Sequence, residues 1–287
     1  MNRSLLVIHG GCGRFEAKDI SFDQYDKKLR EIVAEGYAFL VGHSAMETTR
    51  HVMRLLENEE IFNSGTGSKL QRDGLARMSA AFVDGSQKRF SAVINVENIQ
   101  HPIELAYRLQ VEKHTVLAGP PATKYAREQD FAKHNPITAY RKKEHEEKLT
   151  GETGTCGAVV VDCEGRICVG TSTDGIGYEV PGRVGDSPTV SGTFANRFCG
   201  VSCTGIGEHI NHEAVAAAVV TRCSDGVALS DAVARSIKNG NRRKFHFGLI
   251  AATVNGEIIA GQTESATVLF AQRDRHGLRT FADSLAK

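Results

Sequence analysis

Gly154-Thr155-Cys156-Gly157-Ala158-Val159-Val160-Val161-Asp162 is the stretch that decides the fold. From Thr155 onward it is a short apolar run rich in valine, which predicts a buried β-strand. The turn Cys163-Glu164-Gly165 follows, and residues 166–172 supply the second strand of a hairpin. A hairpin centred on Glu164 places Thr173 opposite Thr155, within one residue. Directly opposed side chains lie about 5 Å apart, so two hydroxyls are predicted to face each other.

A polar segment precedes this strand. Residues 130–154 are rich in Lys, Arg, Glu and His, with Gly and Thr near their end, and they lack apolar periodicity. A long stretch of this kind in a compact protein is either functional or disordered. We therefore predict a linker at about 130–154 that leads directly into Thr155.

Strands and helices segregate into runs on both sides of the linker. Upstream, a buried strand at Leu5 to His9 precedes a long helix that begins with the capping box of Ser21 and Gln24. Apolar periodicity predicts further helices at 45–56, 103–113, 122–129, 213–222 and 229–237, and strands at 78–83, 90–96, 116–119, 249–254, 257–260 and 268–271. This order predicts a layered α+β fold with helices outside antiparallel sheets.

The composition fits one globular unit that acts on a small molecule. The chain has 287 residues and 41% hydrophobic content, which is near the upper limit for a single domain. Its 35 Lys and Arg balance 34 Asp and Glu, which argues against nucleic acid or a membrane as partner. No segment resembles a signal peptide or a membrane span, and seven irregularly spaced cysteines suit a reducing compartment. We expect a soluble, cytoplasmic protein.

Thr155 is the candidate nucleophile. A threonine hydroxyl reacts poorly by itself, but an amine with a pKa of about 8 activates it at close range. Its own α-amine would serve if the chain were cut before residue 155. The alternative is an ordinary strand threonine. Two downstream segments, Pro181 to Pro188 and Ser202 to Glu208, are interpreted as loops that offer a guanidinium, a carboxylate, a hydroxyl and backbone amides.

Several motifs carry a family resemblance. They are Gly-Thr-x-Gly-Ala-Val at 154–159, Thr-Ser-Thr at 171–173, Gly-Arg-Val-Gly-Asp-Ser-Pro at 182–188 and Ser-Cys-Thr-Gly-x-Gly-Glu at 202–208, preceded by His-Gly-Gly-Cys-Gly at 9–13 and Phe-Asn-Ser-Gly-Thr-Gly-Ser at 62–68. The chain resembles the plant-type asparaginases, also called isoaspartyl peptidases, of the N-terminal nucleophile hydrolases. The resemblance implies a four-layer αββα sandwich formed by residues 1–287 as one domain. It also implies autocleavage between Gly154 and Thr155 into pieces 1–154 and 155–287, paired as an (αβ)2 heterotetramer.

The resemblance further implies a catalytic group of four residues. Thr155 would attack the substrate and Thr173 would orient it, while the Thr204 hydroxyl and the Gly205 amide would form the oxyanion hole. The implied reaction is hydrolysis of the β-amide bond of L-asparagine and of β-aspartyl dipeptides through an acyl-enzyme, without a catalytic cofactor.

Substrate-binding residues are implied in the same way. Arg183 would grip the substrate α-carboxylate, Asp186 would hold the α-ammonium, and Gly207 would allow close backbone approach. Asn63 matches an asparagine that supports the active site, although an ordinary turn residue is the alternative. The segment Leu56 to Ser64 resembles a loop that holds a structural sodium ion through backbone carbonyls.

The sequence departs from the family pattern after Thr173. Asp174-Gly175 stands where two glycines are common, and Glu179 follows. We hypothesise that one of these carboxylates binds a cationic leaving group. β-Aspartyl-arginine or β-aspartyl-lysine, as in cyanophycin breakdown, would then be preferred over asparagine. Solvated carboxylates are the alternative.

Three other functions stay open. A glycosylasparaginase-like amidase and a taspase-like protease share the implied architecture, but the lack of a signal peptide and the glycine before Thr155 weigh against them. An uncleaved, inactive homologue that serves as a ligand-binding or scaffold protein is a third alternative.

Overall fold

The computed structural model describes residues 4–13, 21–149 and 155–285, and its strands form two sheets. The strands of these described ranges are β1 Leu5–Cys12, β2 Met78–Asp84, β3 Arg89–Val96, β4 Val116–Ala118, β5 Thr155–Val161, β6 Ile167–Thr173, β7 Thr193–Ala195, β8 Cys199–Gly205, β9 Phe247–Thr253, β10 Ile258–Gln262, β11 Val268–Asp274 and β12 Gly277–Thr280. The larger sheet has the order β12-β11-β1-β5-β6-β2-β3-β4, and the smaller sheet has the order β10-β9-β8-β7. Of these pairings, only that of β3 with β4 is parallel.

Helices accompany both sheets. They are α1 Phe22–Leu40, α2 Ala45–Asn58, α3 Pro102–Arg108, α4 Gly119–Glu128, α5 Ala139–Glu146, α6 Gly207–Glu213, α7 Val215–Ser224, α8 Leu229–Arg242 and α9 Phe281–Leu285. The capping box predicted at Ser21 is confirmed, because its side chain accepts from the Gln24 amide while the Gln24 side chain accepts from the Ser21 amide. Within the described ranges, no helix is both long and apolar enough to cross a membrane.

The predicted hairpin register is confirmed. Strand β5 pairs with β6 so that Thr155 lies opposite Thr173 and Val161 lies opposite Ile167. Both strands are buried along their whole length at the centre of the larger sheet. The hydroxyl pair therefore lies at the end of two fixed central strands.

Side-chain alternation along β5 separates two cores. Ala158 and Val160 point to the core that contains α1 and α2. Val159 and Val161 point the other way and pack with Ile250 of the smaller sheet. A third core joins the opposite face of the smaller sheet to α7 and α8. Thr155 and Gly157 share the parity of Val159, so they belong to the face between the two sheets.

Several predicted elements differ from the structure. The sequence predicted a loop at Ser202 to Gly205, but these residues are the end of β8. The prediction failed because their small polar side chains do not give the alternation of apolar and polar residues that identifies a strand. The predicted helix at 213–222 is instead two helices, α6 and α7, separated by Ala214 at φ 46°. The helix predicted at 103–113 ends at Arg108, and a short 3-10 turn, Leu109–Val111, follows. The segment 130–154 includes the helix α5, which its polar composition did not predict.

Candidate active site

Thr155 and Thr173 form a buried hydroxyl pair. The Thr155 Oγ1 donates to the Thr173 Oγ1 at 3.2 Å, and the two residues are only 5% and 7% exposed. The Thr173 Oγ1 also accepts from the Gly175 amide at 3.1 Å, which holds it in place. The preceding residue, Gly154, lies outside the described residues. Cleavage of the Gly154–Thr155 bond thus stays a prediction.

The oxyanion-hole candidates lie at the end of β8. Thr204 is fully buried, and its Oγ1 has no hydrogen-bond partner within the described ranges. Gly205 has φ 132°, and a Cβ at this position would lie 2.6 Å from the Phe247 Cα, so only glycine fits. The buried Thr204 hydroxyl is therefore a donor available for a ligand.

Strand β8 of the smaller sheet faces the larger sheet near β5. Every second residue of each strand points into the layer between the two sheets. A Cβ at Gly200 would lie 2.6 Å from the Val169 side chain of β6 and 3.3 Å from that of Val159 of β5, and a Cβ at Gly157 would lie 2.0 Å from the Ser202 Oγ. Val201 and Cys203 point to the helices α7 and α8, which leaves Ser202 and Thr204 on the face towards β5. Gly200 thus lies over the paired residues Val159 and Val169 of β5 and β6, and Ser202 lies over Gly157. Thr204 follows Ser202 by two residues on this face and Thr155 precedes Gly157 by two, so both hydroxyls lie towards the same end of the layer between the sheets.

Arg183 and Asp186 lie in the segment 181–188. The Arg183 Nε and Nη2 donate to the two carboxylate oxygens of Glu208 at 2.8 and 2.7 Å. Asp186 is buried, and burial raises the pKa of its carboxyl to about 7. A Cβ at Gly207 would lie 2.9 Å from the Asp186 amide nitrogen, so this glycine permits the start of α6 to touch the segment. The structure thus brings Arg183, Asp186, Gly207 and Glu208 together.

Glu208 has a contact that the sequence did not predict. It was expected only as the last residue of a motif, but its carboxylate occupies the fork of Arg183. Paired oxygens on a planar guanidinium are the arrangement expected for a bound carboxylate. The Glu208 side chain is half exposed to solvent. The sequence signal is the glutamate at the second position of α6.

Asp174 and Glu179 are buried, so the solvated alternative is wrong. Asp174 Oδ2 accepts from the Lys69 amide, while Asp174 Oδ1 and Glu179 Oε2 have no hydrogen-bond partner in the described part of the chain. Burial raises the pKa of Asp174 to about 7, although the positive charge of Arg141 acts in the opposite direction. Burial also raises the pKa of Glu179. Each of these two carboxyls therefore has a buried oxygen that could accept a hydrogen bond from a bound ligand.

Asn63 contacts the segment that was predicted as a linker. Arg141 of α5 is only 5% exposed, and it donates to the Asn63 Oδ1 and, at 2.6 Å, to the Gly67 carbonyl. Its third contact is Glu144 at 2.7 Å. Asn63 is therefore buried and hydrogen-bonded, and its support of the active site stays a prediction. The sequence did not single out Arg141, because an arginine in a charged segment is normally solvated.

The segment Leu56 to Ser64 offers carbonyl oxygens, which are the ligands that hard cations take. The carbonyls of Leu56, Glu57, Glu59 and Ile61 accept hydrogen bonds from Glu59, Thr66, Phe62 and Tyr25, respectively. A carbonyl oxygen has two lone pairs, so a group of this kind can accept a hydrogen bond and also bind a cation. Carbonyl oxygens are chemically suitable for a structural sodium ion, and the sodium site stays a prediction.

Known proteins match almost the entire chain. The asparaginase family model matches residues 2–281. An isoaspartyl peptidase/L-asparaginase of Synechocystis sp. is 40% identical over 278 residues, which cover 90% of this chain and 84% of the relative. A plant-type L-asparaginase of Pyrococcus abyssi is 33% identical, with 85% and 86% covered. An isoaspartyl peptidase of Salmonella typhimurium is 35% identical, with 72% and 75% covered. The resemblance is confirmed, and the chain belongs to the asparaginase family.

Proposed function

We propose that this hydrolase cuts the β-amide bond of L-asparagine and β-aspartyl dipeptides with Thr155 as an N-terminal nucleophile. The observation that carries the proposal is the buried pair of Thr155 and Thr173 hydroxyls at 3.2 Å, at the first residue of the central strand. The names of the relatives support the substrate class, because they include isoaspartyl peptidase and L-asparaginase.

The proposed reaction begins with autocleavage. The Thr155 Oγ1 attacks the carbonyl of Gly154, and the resulting ester is hydrolysed, so that the α-amine of Thr155 becomes free. In the mature enzyme this amine takes the proton of the hydroxyl as Oγ1 attacks the side-chain carbonyl of the substrate. Ammonia or an amine leaves, and water releases aspartate from the acyl-enzyme. Thr173 orients Oγ1 through the hydrogen bond described above.

Charged groups select the substrate. Arg183 takes the α-carboxylate and Asp186 takes the α-ammonium, while the Thr204 hydroxyl and the Gly205 amide stabilise the oxyanion. Asn63 supports the site through its contact with Arg141, and Gly207 keeps the backbone close to the substrate. The architecture that we propose is the four-layer αββα sandwich, with two cleaved chains paired as (αβ)2. That assembly has a mass of twice 31.1 kDa, which light scattering measures.

The leaving-group site is proposed at Asp174 and Glu179. Both carboxyls are buried and each has an oxygen without a donor in the described part of the chain. A guanidinium or ammonium of a leaving group would supply that donor and would favour the charged carboxylate. Arg141 and Lys69 already place positive charge near Asp174, so the site accepts a further cation only with the carboxyls ionised. β-Aspartyl-arginine is the proposed preferred substrate.

Denaturing electrophoresis tests the nucleophile. Wild-type protein is expected to separate into fragments of 154 and 133 residues and to release aspartate from asparagine. Thr155→Ala is expected to stay whole and inactive, while Thr155→Ser, which keeps a hydroxyl, is expected to cleave more slowly. A wild-type chain that stays whole on prolonged incubation would favour the inactive-homologue alternative.

A pair of dipeptides tests the leaving-group site. We expect faster hydrolysis of β-aspartyl-arginine than of β-aspartyl-leucine, measured by aspartate release. Asp174→Gly and Glu179→Gln are expected to reduce this ratio while leaving the rate with β-aspartyl-leucine close to wild type. Equal rates for the two dipeptides in the wild-type enzyme would contradict the proposed preference, without affecting the role of Thr155.

A further inference from the structure

The motif at residues 9–13 has one side chain that the proposed reaction does not use. His9 is fully buried, and its Nε2 hydrogen bonds to the Ser202 Oγ at 2.8 Å. The same Ser202 Oγ hydrogen bonds to the Thr171 Oγ1 at 2.8 Å. His9 and Thr171 belong to the larger sheet and Ser202 to the smaller one. These three residues, called the inter-sheet network below, therefore link the two sheets through polar side chains.

Gly157 makes this link possible. It pairs with His9 of β1 on one side and with Thr171 of β6 on the other. A Cβ at Gly157 would lie 2.0 Å from the Ser202 Oγ and 2.3 Å from the His9 Nε2. Because Gly157 has no side chain, the Ser202 hydroxyl fits above it and reaches both His9 and Thr171.

The inter-sheet network lies next to the proposed catalytic groups along each strand. Alternation puts Thr171 on the same face as Thr173, Ser202 on the same face as Thr204, and Gly157 on the same face as Thr155. On the other side of the network this layer is apolar, with Val159 and Val169 packed against Ile250. The hydrogen bonds between the two sheets are thus made at the level of Gly157, two residues from Thr155.

We propose that the inter-sheet network positions the oxyanion donors relative to the nucleophile. Thr155 is on the larger sheet and Thr204 is on the smaller sheet, so their separation depends on how the two sheets are held. Apolar packing is not directional, whereas two hydrogen bonds at 2.8 Å fix the position of β8 over β5. His9, Thr171 and Ser202 are positioning residues, since they act through Thr155, Thr204 and Gly205. The inference rests on the proposed function.

The network stays uncharged at neutral pH. Burial lowers the pKa of His9 to about 3, and hydrogen bonding to the backbone of Thr155 only partly opposes this effect. A neutral imidazole has one donor and one acceptor nitrogen, which suits a chain of hydroxyls in a buried layer.

The test compares variants that keep or lose one hydroxyl. Thr171→Val preserves the side-chain shape and removes the hydroxyl, whereas Thr171→Ser keeps the hydroxyl. Ser202→Ala removes the central member. Rates of aspartate release are divided by the fraction of cleaved chain. We expect kcat to fall about tenfold in Thr171→Val and Ser202→Ala, because small misplacements of reacting groups are costly. KM is expected to change less than about twofold, since Arg183 and Asp186 lie outside the network. Thr171→Ser is expected to stay near wild type.

Ser91→Ala is the matched control. Ser91 is also fully buried in the larger sheet, where its Oγ donates to the Ala106 carbonyl at 2.6 Å. We expect it to lower the melting temperature without lowering kcat. The positioning role is overturned if Thr171→Val and Thr171→Ser have the same kcat, or if Ser91→Ala loses as much kcat as Thr171→Val. If Thr171→Val does not fold, the test is the comparison of kcat between Ser202→Ala and Ser91→Ala. An equal loss of kcat in these two variants then overturns the positioning role. A wild-type chain that neither cleaves nor releases aspartate would instead refute the proposed function.

Discussion

Asp186 is buried, and its proposed role in binding the α-ammonium requires that its carboxyl be ionised. Burial raises the pKa of its carboxyl to about 7, so the group is largely protonated below that pH in the free protein. An α-ammonium is bound by the carboxylate and not by the neutral acid. Binding of a ligand with an α-ammonium is therefore expected to strengthen as the pH rises through about 7.

Inhibition by L-aspartate and by succinate measures this effect. Succinate lacks the α-ammonium, so its inhibition constant is expected to change less between pH 6 and about 8. Asp186→Asn is expected to remove the difference between the two ligands. Equal pH profiles for aspartate and succinate in the wild-type enzyme would show that Asp186 does not bind the ammonium.

Thr204 is the residue whose isolated hydroxyl requires an explanation. It is fully buried without a partner in the described ranges, an arrangement that costs stability unless a ligand uses the group. Thr204→Val removes the hydroxyl at constant shape, and we expect kcat to fall about 100-fold with little change in KM. Thr204→Ser is the control that keeps the donor. An unchanged kcat in Thr204→Val would exclude its hydroxyl from the oxyanion hole.

At the level of elements, Arg141 is the buried residue by which α5 contacts the body of the protein. Arg141 is buried against Asn63, Gly67 and Glu144, whereas Lys143 on the same helix has a side chain that is 71% exposed. Loss of one partner from a buried ionic contact costs about 3 to 5 kcal/mol. Arg141→Met is therefore expected to release α5 and to speed limited proteolysis within residues 139–146.

Lys143→Met provides the control for α5. It removes a positive charge from the same helix but no buried contact, so its proteolysis rate is expected to match wild type. Digestion with a protease that does not cut at lysine or arginine keeps the two variants comparable. Equal protection of Arg141→Met and wild type would show that α5 is held by other contacts.

At the scale of the whole molecule, buried ionisable groups couple stability to pH. Asp174 has a pKa raised from 3.8 to about 7, so the folded state binds more protons than the unfolded state between these values. Its contribution to stability therefore falls as the pH rises through this window. The lowered pKa of His9 has the opposite effect, so single variants are needed to separate the two groups.

Urea unfolding of the uncleaved Thr155→Ala chain measures this coupling. Asp174→Asn in that background is expected to gain stability relative to its parent as the pH rises from about 5 to 8. Asp73→Asn is the control, because Arg77 lowers the pKa of Asp73 and its titration lies below the window. A difference for Asp174→Asn that stays constant with pH would contradict the raised pKa of this group.

The sequence by itself determined the central hairpin and the type of fold. Valine-rich β5, a tight turn and a second apolar run fix a register in which Thr155 faces Thr173, because pairing in a short hairpin depends on local residues. Local signals also determined the capping box at Ser21 and the alternation of buried positions. The family followed from short motifs between residues 9 and 208, each of which is a continuous stretch of sequence.

Only the tertiary structure decided how distant residues meet. The sequence did not predict β8 as a strand, because alternation is unreadable where glycine and small polar residues replace large apolar ones. Burial of Asp174, insertion of Arg141 beside Asn63 and the contact of Glu208 with Arg183 all join segments far apart in the chain. Local propensity carries no information on such contacts, because they depend on the packing of two sheets. The sequence is therefore sufficient to single out Thr155 as the candidate nucleophile, whereas the residues that surround it are known only from the folded structure.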